Sequence, residues 1–240
     1  MITILCDVDG CLVPGRRQVW DFAGLSELAE RIEQREYIFA LCSSRPAPFL
    51  EAVARQLLIS AYCICENGAL LFHPLSKNVL VNPSIPREYL TEQEQIHRTL
   101  LELTADTGAV VEVGKLYTFS VNTQNPELLP ELETVIAERL KGAPIEISKS
   151  ARSIEIAPLG INKAEGVRFW CEVTQTNSTD ILAVGDTDND LPMFAAVRAS
   201  AAPANCSDLV RSTVNYVSNK PMVQGVLDIY QRAKAIMEDR

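Results

Sequence analysis

The chain has 240 residues, a net charge of −9, 47% hydrophobic and 22% charged residues. That composition supports a real core in one large domain or two modest ones. The acidic balance disfavours a nucleic-acid binder, which needs a basic face, and no apolar run is long enough to span a membrane. The first residues enter a strand pattern at once, without a basic leader region, so cytoplasmic residence is the expectation.

Ile2 to Cys6 is a short apolar run that stops at Asp7, with a second carboxylate at Asp9. On an extended chain, positions i and i+2 face the same way, so both carboxylates are expected to look into one cavity at the strand's carboxyl end. Two anions so close repel each other, and a hard cation with oxygen ligands, most simply Mg²⁺, resolves the conflict. Gly10 lets the backbone turn sharply there. The plain alternative is a strand ending in an Asp-Gly turn; a second acidic cluster downstream decides between the two.

Asp21 to Glu36 has apolar residues at helical spacing (Phe22, Leu25, Leu28, Ala29, Ile32). Tyr37 to Cys42 is a continuous apolar run, the pattern of a strand buried on both faces. It ends in Ser43-Ser44-Arg45-Pro46, and a helix is predicted from about Pro48 to Leu58. Strand, helix, strand implies a right-handed parallel crossover to Tyr62–Cys65, which closes at Glu66-Asn67-Gly68. From about Leu71 prolines cluster, and a different order follows. A helix (91–104) leads to a hairpin (110–113 and 116–121 around Gly114-Lys115), then a helix (127–140) and two more strands (144–148, 153–156). This reads as an α+β insert. After Pro158, Asn162 can cap a helix from Lys163 to Val173. Ile181 to Val184 is a buried strand ending at Gly185-Asp186. Short helices and strands then alternate to a closing helix, Val223 to Met237. The expected architecture is a Rossmann-like α/β core with a parallel sheet at 1–71 and 154–240, and a cap at 72–153.

Gly185-Asp-Thr-Asp-Asn-Asp190 is the second acidic cluster. Asp186, Asp188 and Asp190 begin like a calcium loop, but Leu191 stands where glycine is needed and Val197 where a bidentate glutamate is needed. In open α/β sheets the site lies beyond the carboxyl ends of the strands, and Asp7, Asp9, Ser43, Asp186 and Asp190 all fall at such ends. Lys163 opens a helix, where the dipole disfavours a cation. In a shared cavity it would meet phosphate oxygens; otherwise it is a solvated lysine eased by Glu165. The two histidines lie beside no nucleophile, and none of the seven cysteines forms a zinc knuckle.

Asp-Val-Asp-Gly, Ser43-Ser-Arg, Lys163 and GDTDND together resemble the four motifs of the haloacid dehalogenase superfamily of phosphohydrolases. Glu66-Asn-Gly-Ala and Ile156-Ala-Pro-Leu-Gly-Ile-Asn-Lys163 resemble its Cof-type branch, whose cap is inserted between the second and third motifs. The resemblance implies a phosphatase for a small phosphorylated metabolite, acting as a monomer or homodimer without nucleic-acid or membrane partners. Asp7 would be the nucleophile and Asp9 the general acid and base. Mg²⁺ would be held by Asp7, the Asp9 carbonyl, Asp186 and Asp190. Ser43, Ser44 and Lys163 would hold phosphoryl oxygens, and Asn189 would position Lys163 or substrate. Ser44 and Cys11 depart from the family's usual glycine and threonine. A cap that closes and chooses the substrate is part of the same expectation. Arg152, Lys115, Tyr117 and Glu112 are its candidates for touching the leaving group, each with a solvated or packing role as the alternative.

Four rivals remain at this point. Cys11 to Arg17 has the C-x₅-R spacing of cysteine phosphatases, though it holds a proline and lacks a preceding histidine. A response-regulator receiver uses similar groups but has no such insert. A non-catalytic binding module would be expected to have lost Asp7 or Asp9. A sugar-phosphate mutase needs the same aspartates.

Overall fold

The computed structural model of the chain describes residues 1–15, 18–150 and 153–238. In chain order the elements are β1 (Thr3–Cys6), α1 (Phe22–Glu33), β2 (Ile38–Leu41), α2 (Ala47–Gln56), β3 (Cys63–Cys65), β4 (Leu70–Phe72) and β5 (Val79–Val81). There follow α3 (Arg87–Thr104), β6 (Val110–Val111), β7 (Phe119–Asn122), α4 (Leu129–Arg139), β8 (Ile145–Lys149) and β9 (Ser153–Pro158). The chain closes with α5 (Lys163–Thr174), β10 (Ile181–Val184), α6 (Leu191–Ala195), β11 (Ala199–Ala202), α7 (Asp208–Thr213), β12 (Tyr216–Val217) and α8 (Met222–Glu238).

Two compact units result, one of Met1–Val81 with Asn162–Arg240 and one of Asn82–Ile161. The first is built on a parallel five-stranded sheet in the order β12-β11-β10-β1-β2. Strands β1, β10 and β11 are buried along their whole length and apolar apart from Thr3 and Ser200, as expected of strands covered on both faces. Period-2 alternation sends Leu5, Ala40 and Ala183 to one face, where they share a core with Val167 and Trp170 of α5 and Met193 and Phe194 of α6. On α8, Tyr230 packs edge-on against Tyr37 at 5.0 Å and donates to the Arg31 carbonyl at 3.0 Å, fixing α8 to the end of α1. Helix starts follow local chemistry. Asp21 caps α1 by accepting from Gly24 N–H, and Asn162 caps α5 by accepting from the N–H groups of Ala164 and Glu165.

The sequence-based bounds differ from the structure at the insert. The prolines after Leu71 were expected to mark its start, yet β4 and β5 pair as an antiparallel hairpin beside β3 and belong to the first unit. Pro74 sits in the loop of that hairpin, which the His73 N–H closes on the Asn78 carbonyl. The second unit has the anticipated order: α3, the β6-β7 pair, α4, then β8 and β9. Its antiparallel sheet runs β6-β7-β9-β8. Along β9, Ile154, Ile156 and Pro158 are buried and alternate with half-buried residues. The β6-β7 hairpin is shorter than its pattern predicts, leaving Glu112 to Thr118 as a loop.

Candidate active site

The strand register assembles the site. Cys6 lies level with Leu41 on one side and Val184 on the other. The next residues are Asp7, Cys42 and Gly185, and the ladder reaches one step further through Asp7 N–H to Val184 O at 2.8 Å and Cys42 N–H to Cys6 O at 2.9 Å. Asp7 follows Leu5 on the face that α5 covers, and the first residue of α5 is Lys163. The Lys163 Nζ lies 2.9 Å from Asp7 Oδ1 and 2.6 Å from Asp190 Oδ1, with its side chain 1% exposed. The cost of a cation at a helix N-terminus is thus offset by two buried carboxylates.

Asp7, Asp186 and Asp190 each bring a carboxylate oxygen within 4.8 Å of the others, and all three are buried. Burial pushes the Asp7 carboxyl up to about 7, with Lys163 opposing the shift and Asp190 adding to it. Burial, then Asp7 and Asp190, push Asp186 up to about 8. Burial alone would lower Lys163, but Asp190 and Asp7 outweigh it and hold the ammonium well above its usual range. Once fully ionised, three carboxylates against one ammonium would leave two negative charges on a buried cluster of oxygens. That donor set fits a hard divalent cation such as Mg²⁺.

Individual residues depart from the expected arrangement. The two oxygens of Asp190 are already engaged: Oδ1 by Lys163, and Oδ2 by the N–H groups of Asp186 and Thr187, each at 3.0 Å. Asp190 thus ties Lys163 to the Asp186–Thr187 turn while remaining one of the three clustered carboxylates. The carboxylate of Asp9 does not join this group, because β1 ends at Cys6 and the extended geometry that would align Asp7 with Asp9 ends with it. Both Asp9 oxygens instead accept from Arg45, Nε to Oδ2 at 2.7 Å and Nη2 to Oδ1 at 2.9 Å. Asn189 does not reach Lys163; its Nδ2 donates to Asn67 Oδ1 at 3.2 Å. Asp188, the middle residue of the rejected calcium pattern, bonds Ser207 at the surface.

Ser43 is buried, and its Oγ accepts from Arg45 N–H at 3.3 Å. Ser44 has no positive φ, so serine replaces the expected glycine without backbone strain. Gly10 does need its freedom: its φ is 86°, and a Cβ there would sit 2.0 Å from Asp186 Oδ2. The Gly10 carbonyl accepts from Asn205 Nδ2 at 2.9 Å, a tie from the distant end of the chain that no sequence pattern signals. Cys11 is fully buried, with its Sγ 3.8 Å from Asp186 Oδ1. Burial first, then Cys6 and the nearby carboxylates, push its thiol well above the usual range, the reverse of what a thiolate nucleophile requires. The Arg17 of that pattern and the cap candidate Arg152 lie outside the described residues. In the insert, the Lys115 side chain is buried and pairs with Glu155 at 3.1 Å and Glu112 at 3.5 Å, while the Tyr117 carbonyl accepts from Tyr89 Oη at 2.6 Å. Lys115 and Glu112 thus serve each other inside the second unit.

Comparison with known proteins adds the family. A sequence profile of haloacid dehalogenase-like hydrolases matches residues 4–121 and 109–229. A phosphoglycolate phosphatase of Methanococcoides burtonii is 24% identical over 231 residues, covering 96% of this chain and 95% of that one. A 5-amino-6-(5-phospho-D-ribitylamino)uracil phosphatase of Bacillus subtilis is 23% identical, covering 93% of this chain and 92% of its own. The crystal structure of protein 0175 of Thermoplasma acidophilum superposes with a TM-score of 0.77 at 22% identity, covering 98% of both chains. The profile spans most of the sequence, and the strand-end acidic residues sit where the fold gathers them: the chain belongs to the haloacid dehalogenase-like hydrolases and is an enzyme of that class.

Proposed function

We propose that the protein is a Mg²⁺-dependent phosphomonoesterase for a small phosphorylated metabolite, working through a phosphoryl group carried on Asp7. The observation that carries this reading is the buried convergence of Asp7 and Asp186 beside the Lys163 ammonium. The named relatives, phosphatases for phosphoglycolate and for a ribitylamino phosphate, support a small phosphate ester as substrate.

Asp7 attacks phosphorus through a carboxylate oxygen; the new P–O bond forms as the bond to the leaving alcohol breaks. Asp9, oriented by Arg45, gives the leaving oxygen its proton and later takes one from the attacking water. Water then cleaves the aspartyl-phosphate and restores Asp7. Lys163 and Ser43 face the developing charge on the transferring oxygens, an electrostatic role suited to phosphoryl transfer. Asp7, Asp186 and the Asp9 carbonyl would hold Mg²⁺, which when bound neutralises charge on the phosphoryl group. Asp190 keeps Lys163 in place.

The test is a panel of phosphate esters that includes phosphoglycolate and hexose phosphates, assayed with and without Mg²⁺. Release of inorganic phosphate that needs Mg²⁺ and disappears in Asp7→Asn supports the reading. Isomerised sugar phosphate in place of free phosphate would make the protein a mutase.

A further inference from the structure

The Glu66-Asn67-Gly68 turn plays no part in the chemistry above, yet it carries the most unusual backbone in the first unit. Three successive residues have positive φ: 50° at Glu66, 56° at Asn67 and 104° at Gly68. A residue with a Cβ resists that conformation, and it persists only where the surroundings over-determine it. Here they do so from three sides. The Glu66 N–H donates to the Arg45 carbonyl at 3.1 Å, and the Asn67 N–H donates to the Ser43 carbonyl at 3.0 Å. The Asn67 side chain accepts from Asn189 at 3.2 Å. Gly68 packs so closely on the start of α5 that an added Cβ would lie 2.6 Å from the Asn162 carbonyl and 2.7 Å from Gly166 Cα.

One buried turn therefore touches the loop that carries Ser43 and Arg45, the cap residue that precedes Lys163, and the turn that carries Asn189 and Asp190. We propose that Asn67 is a positioning residue. Its left-handed backbone sets the spacing between the Ser43 hydroxyl and the Lys163 ammonium, and its side-chain amide locks that spacing to Asn189. Asparagine suits the position because it tolerates left-handed backbone better than other residues with a Cβ. The proposal rests on the phosphatase reading for its kinetic readout and on phosphate binding for an independent one.

The test separates backbone from side chain. Asn67→Gly keeps the positive φ and deletes the amide; Asn67→Ala deletes the amide and disfavours the turn. Asn67→Gly is expected to lower kcat by about tenfold, the scale of a small misplacement of catalytic groups, while Tm hardly moves. Asn67→Ala is expected to lose more, in both kcat and Tm. Adding Asn67→Gly to Asn189→Ala is expected to cost little beyond Asn189→Ala alone, because the two side chains act as one unit. Inorganic phosphate, titrated calorimetrically with Mg²⁺ present, should bind more weakly to Asn67→Gly by a similar factor. Wild-type kcat and phosphate affinity in Asn67→Gly, or full additivity with Asn189→Ala, would overturn the positioning role. If the wild type hydrolyses no phosphate ester, the phosphatase reading fails separately, and the calorimetric comparison alone decides the role of Asn67. A wild type that neither hydrolyses nor binds phosphate overturns both.

Discussion

Arg45 holds Asp9 by a two-pronged ion pair, with both carboxylate oxygens within 2.9 Å of the guanidinium. The Arg45 guanidinium also lies 5.1 Å from the centre of the Phe49 ring, which limits its freedom. Asp9 is thus aimed by Arg45. Arg45→Ala should lower kcat by about ten- to a hundredfold. Arg45→Lys should recover little, because an ammonium cannot reproduce the fork. The pair is a quarter to a third exposed, so either change should move stability by only about 1 kcal/mol or less. Steady-state kinetics with a parallel melt checks both.

Lys163 is the sole cation facing three buried carboxylates among the described residues. Lys163→Met leaves Asp7 and Asp190 without their counter-charge. The metal-free variant should lose about 3–5 kcal/mol of unfolding free energy in urea. Phosphatase activity should vanish with it, whereas a solvated lysine would lose neither.

The raised carboxyls predict a pH effect with a definite sign. Asp7 and Asp186 titrate near 3.8 when unfolded and near 7 and 8 when folded. Between those values the folded chain binds more protons, so the contribution of these two sites is fullest at low pH and is lost as pH rises through 7 and 8. In metal-free protein, Asp186→Asn should therefore melt increasingly above wild type as pH climbs from about 5 to 8. Mg²⁺ should raise the wild-type Tm most at the upper end of that range, because it binds the ionised pair. A pH-independent difference between variant and wild type would contradict this.

Cys11→Ser tests the thiolate alternative. The buried, high-pKa thiol predicts kcat/KM within about threefold of wild type and no inactivation by thiol reagents acting on the folded enzyme. Loss of turnover at unchanged folding would revive Cys11 as nucleophile.

Much of this was legible in the sequence because it depends on where buried strands stop. Asp7, Ser43 and Asp186 each follow a short apolar run, and parallel pairing in register brings such ends together. Lys163 could be placed because Asn162 is a recognisable cap. Other features have no local signature. Asp9 was expected to share a cation with Asp7 through its side chain, but the strand ends one residue before Asp7. Arg45 follows two serines like any loop arginine, and only folding shows it across from Asp9. The left-handed turn at Glu66 and Asn67 is set by contacts with three remote segments, so propensity alone would not find it. The prolines after Leu71 suggested a domain boundary where the structure has a hairpin loop.

The central claim is that Asp7 carries the phosphoryl group, and trapping that species tests it most directly. Enzyme with Mg²⁺ and a turned-over phosphate ester is acid-quenched during turnover, digested and weighed by mass spectrometry. The account predicts one added phosphoryl group on the peptide containing Asp7, absent in Asp7→Asn. An unmodified Asp7 peptide throughout turnover, together with Asp7→Asn releasing phosphate near the wild-type rate, would contradict it.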